Sequence, residues 1–423
     1  MKPELESGMI DRETDVLVVT SAFPLPSEAF AAVEFKALER AGARLRIRAF
    51  RPARRESAAL AEKLRLRRAD VTHARSSSYL HGVLFALRHP VMACRTLLWV
   101  VWNGRGTPGL TSRCVLLLPR FFEIFAECLR SPPSVIYLYW GHYPAVVGYL
   151  ARRYLRHVHV SMGLYAFDLV YRFGPGIRLA DEVDTLVTLA ECNVEQIRSL
   201  GVASDRLQVF FHGIDLAEVP APAQLARKRP GSIVTIARLV KNKGVDDALR
   251  VFALAKRRSP GLTLKVIGEG EELESLRALA DQLGVGDSVE FAGAMPHDRV
   301  YEELAIAEFF LLMSRNPSER LPNAVKEAMA CRCICVVTES PGIEELLQPL
   351  ARKLVVRMGD CEGAANKLVE ATADCEANDR DRQAGREFIL ANFDASRIAR
   401  DKLTAWLARR AVPAAGGAQA RGI

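Results

Sequence analysis

Five short apolar runs punctuate the second half of this chain: SIVTIA (232–237), LTLKVIG (262–268), SVEFAG (288–293), EFFLLM (308–313) and ICVVT (334–338). Each is rich in Val, Ile, Leu or Phe and too short for a buried helix, so each reads as a strand. The stretches between them, 245–258, 271–283 and 298–307, repeat apolar residues every three or four positions and read as helices. KLVV (353–356) extends the series. Strand and helix in alternation demand a parallel sheet with helices on both faces, because a parallel crossover needs a helix-length connection. The pattern predicts a doubly wound α/β domain.

The first half repeats the theme less regularly. DVLVVT (15–20) reads as a buried strand, SAFPLPSE (21–28) as a loop, 29–41 as a helix ended by Gly42, and 45–50 as a second strand. Residues 57–130 are helical in pattern, and further strands are expected at 135–139, 158–162, 185–189 and 208–211. VPAPAQLARKRPG (219–231) has three prolines and no apolar period, so it reads as a linker. The expected organisation is a first domain at 1–220, a linker at 221–231 and a second domain at 232–385. A helix over 386–410, able to cross back to the first domain, and a disordered Ala/Gly-rich tail at 411–423 complete it. Two such domains on a short linker are expected to face a cleft at the carboxyl ends of their strands, where ligands bind.

Composition narrows the function classes. Hydrophobic residues make up 49% and charged residues 26%, as in ordinary globular proteins. The nine cysteines are scattered, odd in number and without a CxxC pair, which argues against a disulfide framework or a zinc site and for a reducing, cytoplasmic setting. Cys331, Cys333 and Cys335 alternate, as residues on one face of a strand do. MKPELESGMIDRETD at the N-terminus lacks the apolar core of a secretory signal. His81–Trp102 is interrupted by Arg88, His89, Pro90 and Arg95, too polar to span a bilayer. Charge is concentrated: residues 36–130 hold 19 Lys+Arg against 6 Asp+Glu. TLLWVVW (96–102) and VLLLPRFFEIF (115–125) lie in that stretch. Basic charge interleaved with Trp, Phe and Leu suits a surface resting on anionic lipid headgroups, and a solvated basic face over core helices is the alternative. No nucleic-acid motif accompanies the charge.

Chemistry-bearing residues fall at the expected strand ends of the second domain. Arg238 and Lys243 lie in ARLVKNKG, after its first strand. Two cations five apart can clamp a diphosphate, Arg as a fork and Lys as a point charge. Gly268-Glu269-Gly270 follows the second strand. In SERLPNAVKEAMA (318–330), Glu319 precedes and Glu327 follows Pro322, which suits the first position of a helix. The free N–H groups of that helix start favour an anion. A carboxylate on either side suits a ligand with both phosphate and hydroxyls. Asp379-Arg380-Asp381 has the form of a metal-binding DxD but lies in a polar C-terminal stretch, where chance explains it.

ARLVKNKG, VIGEGEELESLRALADQLGV, VEFAGAMPHDRVYEELAIAEFFLLMS, SERLPNAVKEAMAC and VVTESPGIEEL resemble, in order and spacing, the donor domain of glycosyltransferase family 4, over about residues 230–350. FPLPSEAFAAVEFKALERAG (23–42), YAFD (165–168) and VFFHGIDL (209–216) resemble the branch that makes colanic acid and related exopolysaccharides. The resemblance implies the GT-B fold, two Rossmann-like domains facing a cleft, and a retaining transferase acting on a nucleotide-sugar with no cofactor and no metal. By the resemblance, Arg238 and Lys243 stabilise the departing nucleoside diphosphate and Glu319 holds the transferred sugar. Glu327 binds the ribose, and the backbone around Gly268 and Leu321, Pro322 and Asn323 meets the donor. Asp168 and Tyr165 are placed on the acceptor side, with an N-cap or ion-pair role the alternative for Asp168; His142, in YWGHYP (139–144), is read from the sequence alone as either an acceptor-side residue lining the cleft or a structural histidine. The implied partners are a nucleotide-sugar, a lipid-linked saccharide acceptor and the inner face of the plasma membrane, and no nucleic acid. A soluble acceptor, or a GT-B scaffold that binds without transfer, are the competing readings. The chain departs from the family in four places: Arg320 and Arg332 stand where Gly is usual, Tyr165 stands where His is common, and SAFPLPSE (21–28) stands in place of the Gly-rich first loop of many relatives.

Overall fold

The computed structural model describes residues 14–25, 29–52, 69–202, 205–225 and 228–410. They form two compact units. One holds the described residues up to Phe211 together with those from Ser396 onward, and the other is His212–Ala395.

The first unit is built on seven strands: β1 (Thr14–Thr20), β2 (Ala43–Ala49), β3 (Asp70–Thr72), β4 (Val135–Leu138), β5 (His159–Gly163), β6 (Thr185–Thr188) and β7 (Leu207–Val209). All neighbours are parallel, in the order β3-β2-β1-β4-β5-β6-β7. β4 and β5 are buried along their whole length, as continuous apolar runs in a covered parallel sheet must be. The helices are α1 (Ala29–Arg40), α2 (Ser76–Arg88), α3 (Pro90–Asn103), α4 (Pro108–Arg130), α5 (Ala145–Tyr154), α6 (Ala166–Tyr171), α7 (Gly174–Ala180) and α8 (Cys192–Ser199). Phe121, Phe125, Ile136, Val146 and Leu150 join α4, β4 and α5 in one apolar core. Part of the basic excess is internal. Arg46, Arg48 and Arg120 are buried. Arg46 pairs with Asp15 at 2.7 Å, Arg48 with Glu127 at 2.7 Å, and Arg120 with Glu123. Those charges therefore hold the fold together.

The second unit carries six parallel strands: β8 (Arg229–Ile236), β9 (Thr263–Ile267), β10 (Val289–Gly293), β11 (Ala307–Leu312), β12 (Ile334–Thr338) and β13 (Val355–Val356). Their order is β10-β9-β8-β11-β12-β13. Its helices are α9 (Val245–Arg258), α10 (Leu273–Gln282), α11 (His297–Ile306), α12 (Asn323–Ala330), α13 (Ile343–Leu347), α14 (Cys361–Ala373) and α15 (Cys375–Asn392). The chain winds outward from β8 through β9 to β10, then returns to lay β11 on the other side of β8. The loops after β8 and β11 therefore diverge at a topological switch point, which opens a crevice at the carboxyl ends of the strands. In the first unit the equivalent point lies between β1 and β4.

Several boundaries differ from expectation, for visible reasons. The unit boundary lies at 211/212, ahead of the expected linker at 221–231. His212 and Ile214 are tied into the second unit: Lys326 Nζ donates to the His212 carbonyl at 2.7 Å, and the Ile214 N–H donates to the Phe393 carbonyl at 2.9 Å. Within the expected linker, Pro222–Leu225 forms a 3₁₀ turn and β8 already starts at Arg229. The expected helix over 386–410 is two helices, α15 and α16 (Ala395–Arg410), separated where Asp394 bridges to Ile214. From Ser396 onward α16 belongs to the first unit, where Lys402 Nζ meets Glu34 at 2.5 Å and buried Trp406 packs on Tyr137. Of the three alternating cysteines only Cys335 lies in β12. Cys331 ends α12, although all three are buried. The expected tail at 411–423 and part of the SAFPLPSE loop lie outside the described residues.

Candidate active site

The loop after β8 brings two cations to the switch point. Arg238 is exposed and makes no side-chain hydrogen bond or ion pair among the described residues. Lys243 ends a 3₁₀ turn (Lys241–Lys243) and is followed by Gly244 at φ +62°. A Cβ on Gly244 would lie 1.8 Å from the Met313 carbonyl oxygen, so only glycine lets this loop close on the end of β11. That approach puts Lys243 Nζ 2.8 and 2.9 Å from the two oxygens of Glu319. Ser314, just past β11, donates its hydroxyl to the same carboxylate. Gly268 acts through its backbone. Its φ is +143°, and a Cβ there would sit 1.9 Å from the Ala237 carbonyl oxygen, next to Arg238.

After Glu319 the chain turns into α12. Leu321, buried, has φ +45°, a conformation costly for a residue with a side chain and concentrated at functional sites. Pro322 is the N-cap and the helix begins at Asn323, one residue later than expected. No side chain caps this end, and the N–H groups of Asn323 and Ala324 have no partner among the described residues. They are donors suited to an anion. Arg320 folds back on its own loop, donating to the Pro317 and Glu319 carbonyls at 2.9 Å each.

Glu327 lies one turn into α12, buried, with Oε1 3.1 Å from His297 Nε2. The other ring nitrogen of His297 is 2.8 Å from Glu218. Burial acts to lower the His297 pKa, but hydrogen bonds to the two carboxylates outweigh it and carry the imidazolium up to about 10. The next residue along α12 from Glu327 toward its start, Lys326, is fully buried. Its ammonium donates to the His212 carbonyl and to Asn323 Oδ1 at 2.9 Å, and burial pushes it down to about 7.

Of the residues expected in this half, the structure brings Lys243 and Glu319 into direct contact and sets Leu321, Pro322 and Asn323 beside them in sequence at the head of α12. Glu327 is held separately by His297. Motif spacing did not single out His297, Glu218, Ser314 or Lys326. His297 opens α11 directly after Pro296, and that start position was its only local signal. Asp379 and Asp381 are structural: Asp379 pairs with Arg382, and Asp381 accepts from the Ala351 N–H and pairs with Arg352.

In the first unit, His142 follows β4 at the switch point. It is ringed by Trp140, Tyr143 and Phe167, and burial, with Arg51 nearby, lowers its pKa to about 3. Asp168 is buried, and one oxygen accepts from the Tyr165 N–H at 3.0 Å, which closes the first turn of α6. Burial raises its carboxyl to about 7 against backbone hydrogen bonds that lower it. Tyr165 does not present its hydroxyl to a surface. It is fully buried, and its oxygen lies 2.6 Å from that of Tyr137, which in turn donates to Glu34 at 3.0 Å.

Residues 221–388 match the family model for glycosyl transferases group 1. That match covers most of the second unit. The chain is similar to the lipopolysaccharide core biosynthesis glycosyltransferase LpsE of Rhizobium meliloti (strain 1021), at 30% identity over 44% of this chain and 51% of that protein. It is also similar to WcaL of Salmonella typhimurium, named for colanic acid biosynthesis, at 26% identity over 44% of this chain and 47% of that protein. The matched stretches thus span about half the length of these relatives. Among solved structures, HepE of Anabaena, crystallised with UDP, aligns over 93% of this chain and 99% of its own with a TM-score of 0.69 at 16% identity. This likeness shows the fold: two Rossmann-like, parallel-sheet α/β domains of the GT-B type.

Proposed function

We propose that this protein is a retaining glycosyltransferase of family 4, moving a sugar from a nucleotide-sugar to a lipid-linked saccharide during surface polysaccharide synthesis. One observation carries the reading. Arg238, Lys243, Glu319 and the open N–H groups of α12 all stand on the two loops that part at the switch point of the second unit. The names of LpsE and WcaL support the pathway class.

The chemistry follows from the residues. The donor diphosphate lies against Arg238, Lys243 and the start of α12, where fixed cations and dipoles meet the charge that grows as the sugar leaves. A diphosphate drawn to Lys243 shares that ammonium with Glu319, so the carboxylate is left beside the sugar to accept from its hydroxyls. Glu327, anchored by His297, accepts from the ribose hydroxyls. The acceptor hydroxyl oxygen forms a bond to the anomeric carbon on the face the diphosphate leaves. The old carbon–oxygen bond breaks with its electron pair to the diphosphate, and the acceptor's proton passes to a diphosphate oxygen. No metal or cofactor is proposed. Asp168 and His142 serve the acceptor side, with the Tyr165 N–H holding the Asp168 carboxylate. The proposed setting is the cytoplasm, at the inner face of the membrane.

The test is transfer by the full chain, using a panel of UDP- and GDP-sugars with lipid-linked acceptors. Arg238→Ala and Lys243→Ala are each expected to lower turnover by about 10- to 1,000-fold, the scale of losing one preorganised charge-stabilising group. Chelation by EDTA is expected to leave it unchanged. Transfer that is absent with every donor, or intact in both variants, contradicts the proposal.

A further inference from the structure

Helices α2 and α3 wear their apolar stripes outward. In α2 the exposed residues Leu80, Val83, Leu84 and Leu87 recur at helical spacing. In α3 the same holds for Val91, Leu98 and Trp102, while Met92, Thr96 and Val100 on the opposite face are buried in the first unit. Leu87, Leu98 and Trp102 are 71%, 68% and 67% exposed. An amphipathic helix ordinarily turns such a stripe inward, and contiguous exposed apolar surface marks a partner.

The charge around the stripe says which partner. Between Asp70 and Glu123 the sequence contains six Arg and no Asp, Glu or Lys. Arg88, Arg95 and Arg105 are exposed beside the apolar residues, and Arg105 stacks on Trp102 at 3.6 Å. A second copy of this surface would bring arginine against arginine with no carboxylate to offset it. A bilayer with anionic headgroups meets the arginines and takes up the apolar stripe together. Trp and Arg side by side suit the headgroup boundary, where an apolar body and a polar tip are both satisfied. The two helices meet at 110°, and no single described helix is long and apolar enough to cross a membrane. With their inner faces fixed in the core, they lie on the bilayer.

We infer that the outward face of α2 and α3 is a docking surface for anionic phospholipid bilayers, with Leu87, Leu98 and Trp102 entering the headgroup boundary and Arg88, Arg95 and Arg105 pairing with phosphates. This rests on the membrane setting proposed above and locates it on named residues.

The experiment is co-sedimentation of the full chain with vesicles of phosphatidylcholine alone, and of phosphatidylcholine and phosphatidylglycerol in equal parts. Binding is expected only with the anionic vesicles, weakening as salt rises. Leu98→Glu and Trp102→Glu should each reduce it by about tenfold or more, since each puts a carboxylate where apolar area was buried. Trp102→Phe should retain it. Binding that ignores lipid charge, or that both Glu variants leave intact, overturns the inference. So does a dimer in sedimentation velocity that the Glu variants dissolve. Release of nucleoside diphosphate from donor by the same variants, without vesicles, separates the claims: intact release with lost sedimentation leaves the donor site standing. Absent vesicle binding by the wild type, with working transfer to a soluble acceptor, removes the membrane inference alone.

Discussion

Arg332 shows how a single departure from a family pattern acquires a physical meaning. It follows α12 at φ +64°. The Arg332 N–H donates to the Met329 carbonyl and the Cys333 N–H to the Ala328 carbonyl, both at 2.9 Å, which is the Schellman ending of a helix. Its left-handed residue is usually Gly because a Cβ there meets the following carbonyl. Arg332→Gly is therefore expected to stabilise the protein by about 1 kcal/mol, read as a raised midpoint in urea unfolding with an unchanged slope. An unchanged or lowered midpoint would show that the arginine makes up the backbone cost through contacts. Arg320 is a different case. Its sequence position also suggested a glycine site, yet the positive φ in that loop belongs to Leu321. The sequence made both departures visible without showing which one strains the backbone. Tyr165 was legible as a substitution for His, but its burial was not. Its partners Tyr137 and Glu34 lie far away in the chain, and only the sheet brings them together.

At the scale of elements, α12 and α11 carry opposing proton linkage. Lys326 on α12 is pushed down to about 7 and His297 on α11 is raised to about 10. Between pH 7 and 10 the folded unit keeps a proton on His297 that the unfolded chain has released, so that residue's contribution falls as pH rises. Over the same window it has released a proton from Lys326 that the unfolded chain still holds, so that contribution grows. The two slopes offset each other. Relative to wild type, His297→Ala is expected to give a melting temperature that climbs from pH 7 to 10, and Lys326→Met one that declines. Parallel profiles for all three proteins would refute the opposed pair. Elements themselves were the most legible level. The apolar runs at 232–237, 262–268, 288–293, 308–313 and 334–338 correspond to β8 to β12 within a few residues. Ends set by tertiary contact escaped: β8 reaches back to Arg229, and the C-terminal helix breaks where Ile214 takes up the backbone of Asp394.

At the scale of the whole molecule, strand order does what composition cannot. Alternating strands and helices imply a parallel sheet, but only the return of the chain from β10 to β11 beside β8 creates the switch point on which Arg238, Lys243 and Glu319 converge. Lys243 and Glu319 stand 76 residues apart in sequence and 2.8 Å apart in space. The excess of positive charge also divides at this scale. Arg46, Arg48 and Arg120 serve the interior, whereas Arg88, Arg95 and Arg105 surround an apolar face open to solvent. The proposed function requires that the crevice between β8 and β11 bind and activate a nucleotide-sugar. It is tested most directly by measuring nucleoside diphosphate released from a panel of UDP- and GDP-sugars by wild type, Arg238→Ala and Lys243→Ala, alongside calorimetric titration of the same donors. At least one donor is expected to bind and be turned over by the wild type, with release lowered by about 10- to 1,000-fold in each variant. Failure of every donor to bind, or release unaffected by either substitution, would contradict it.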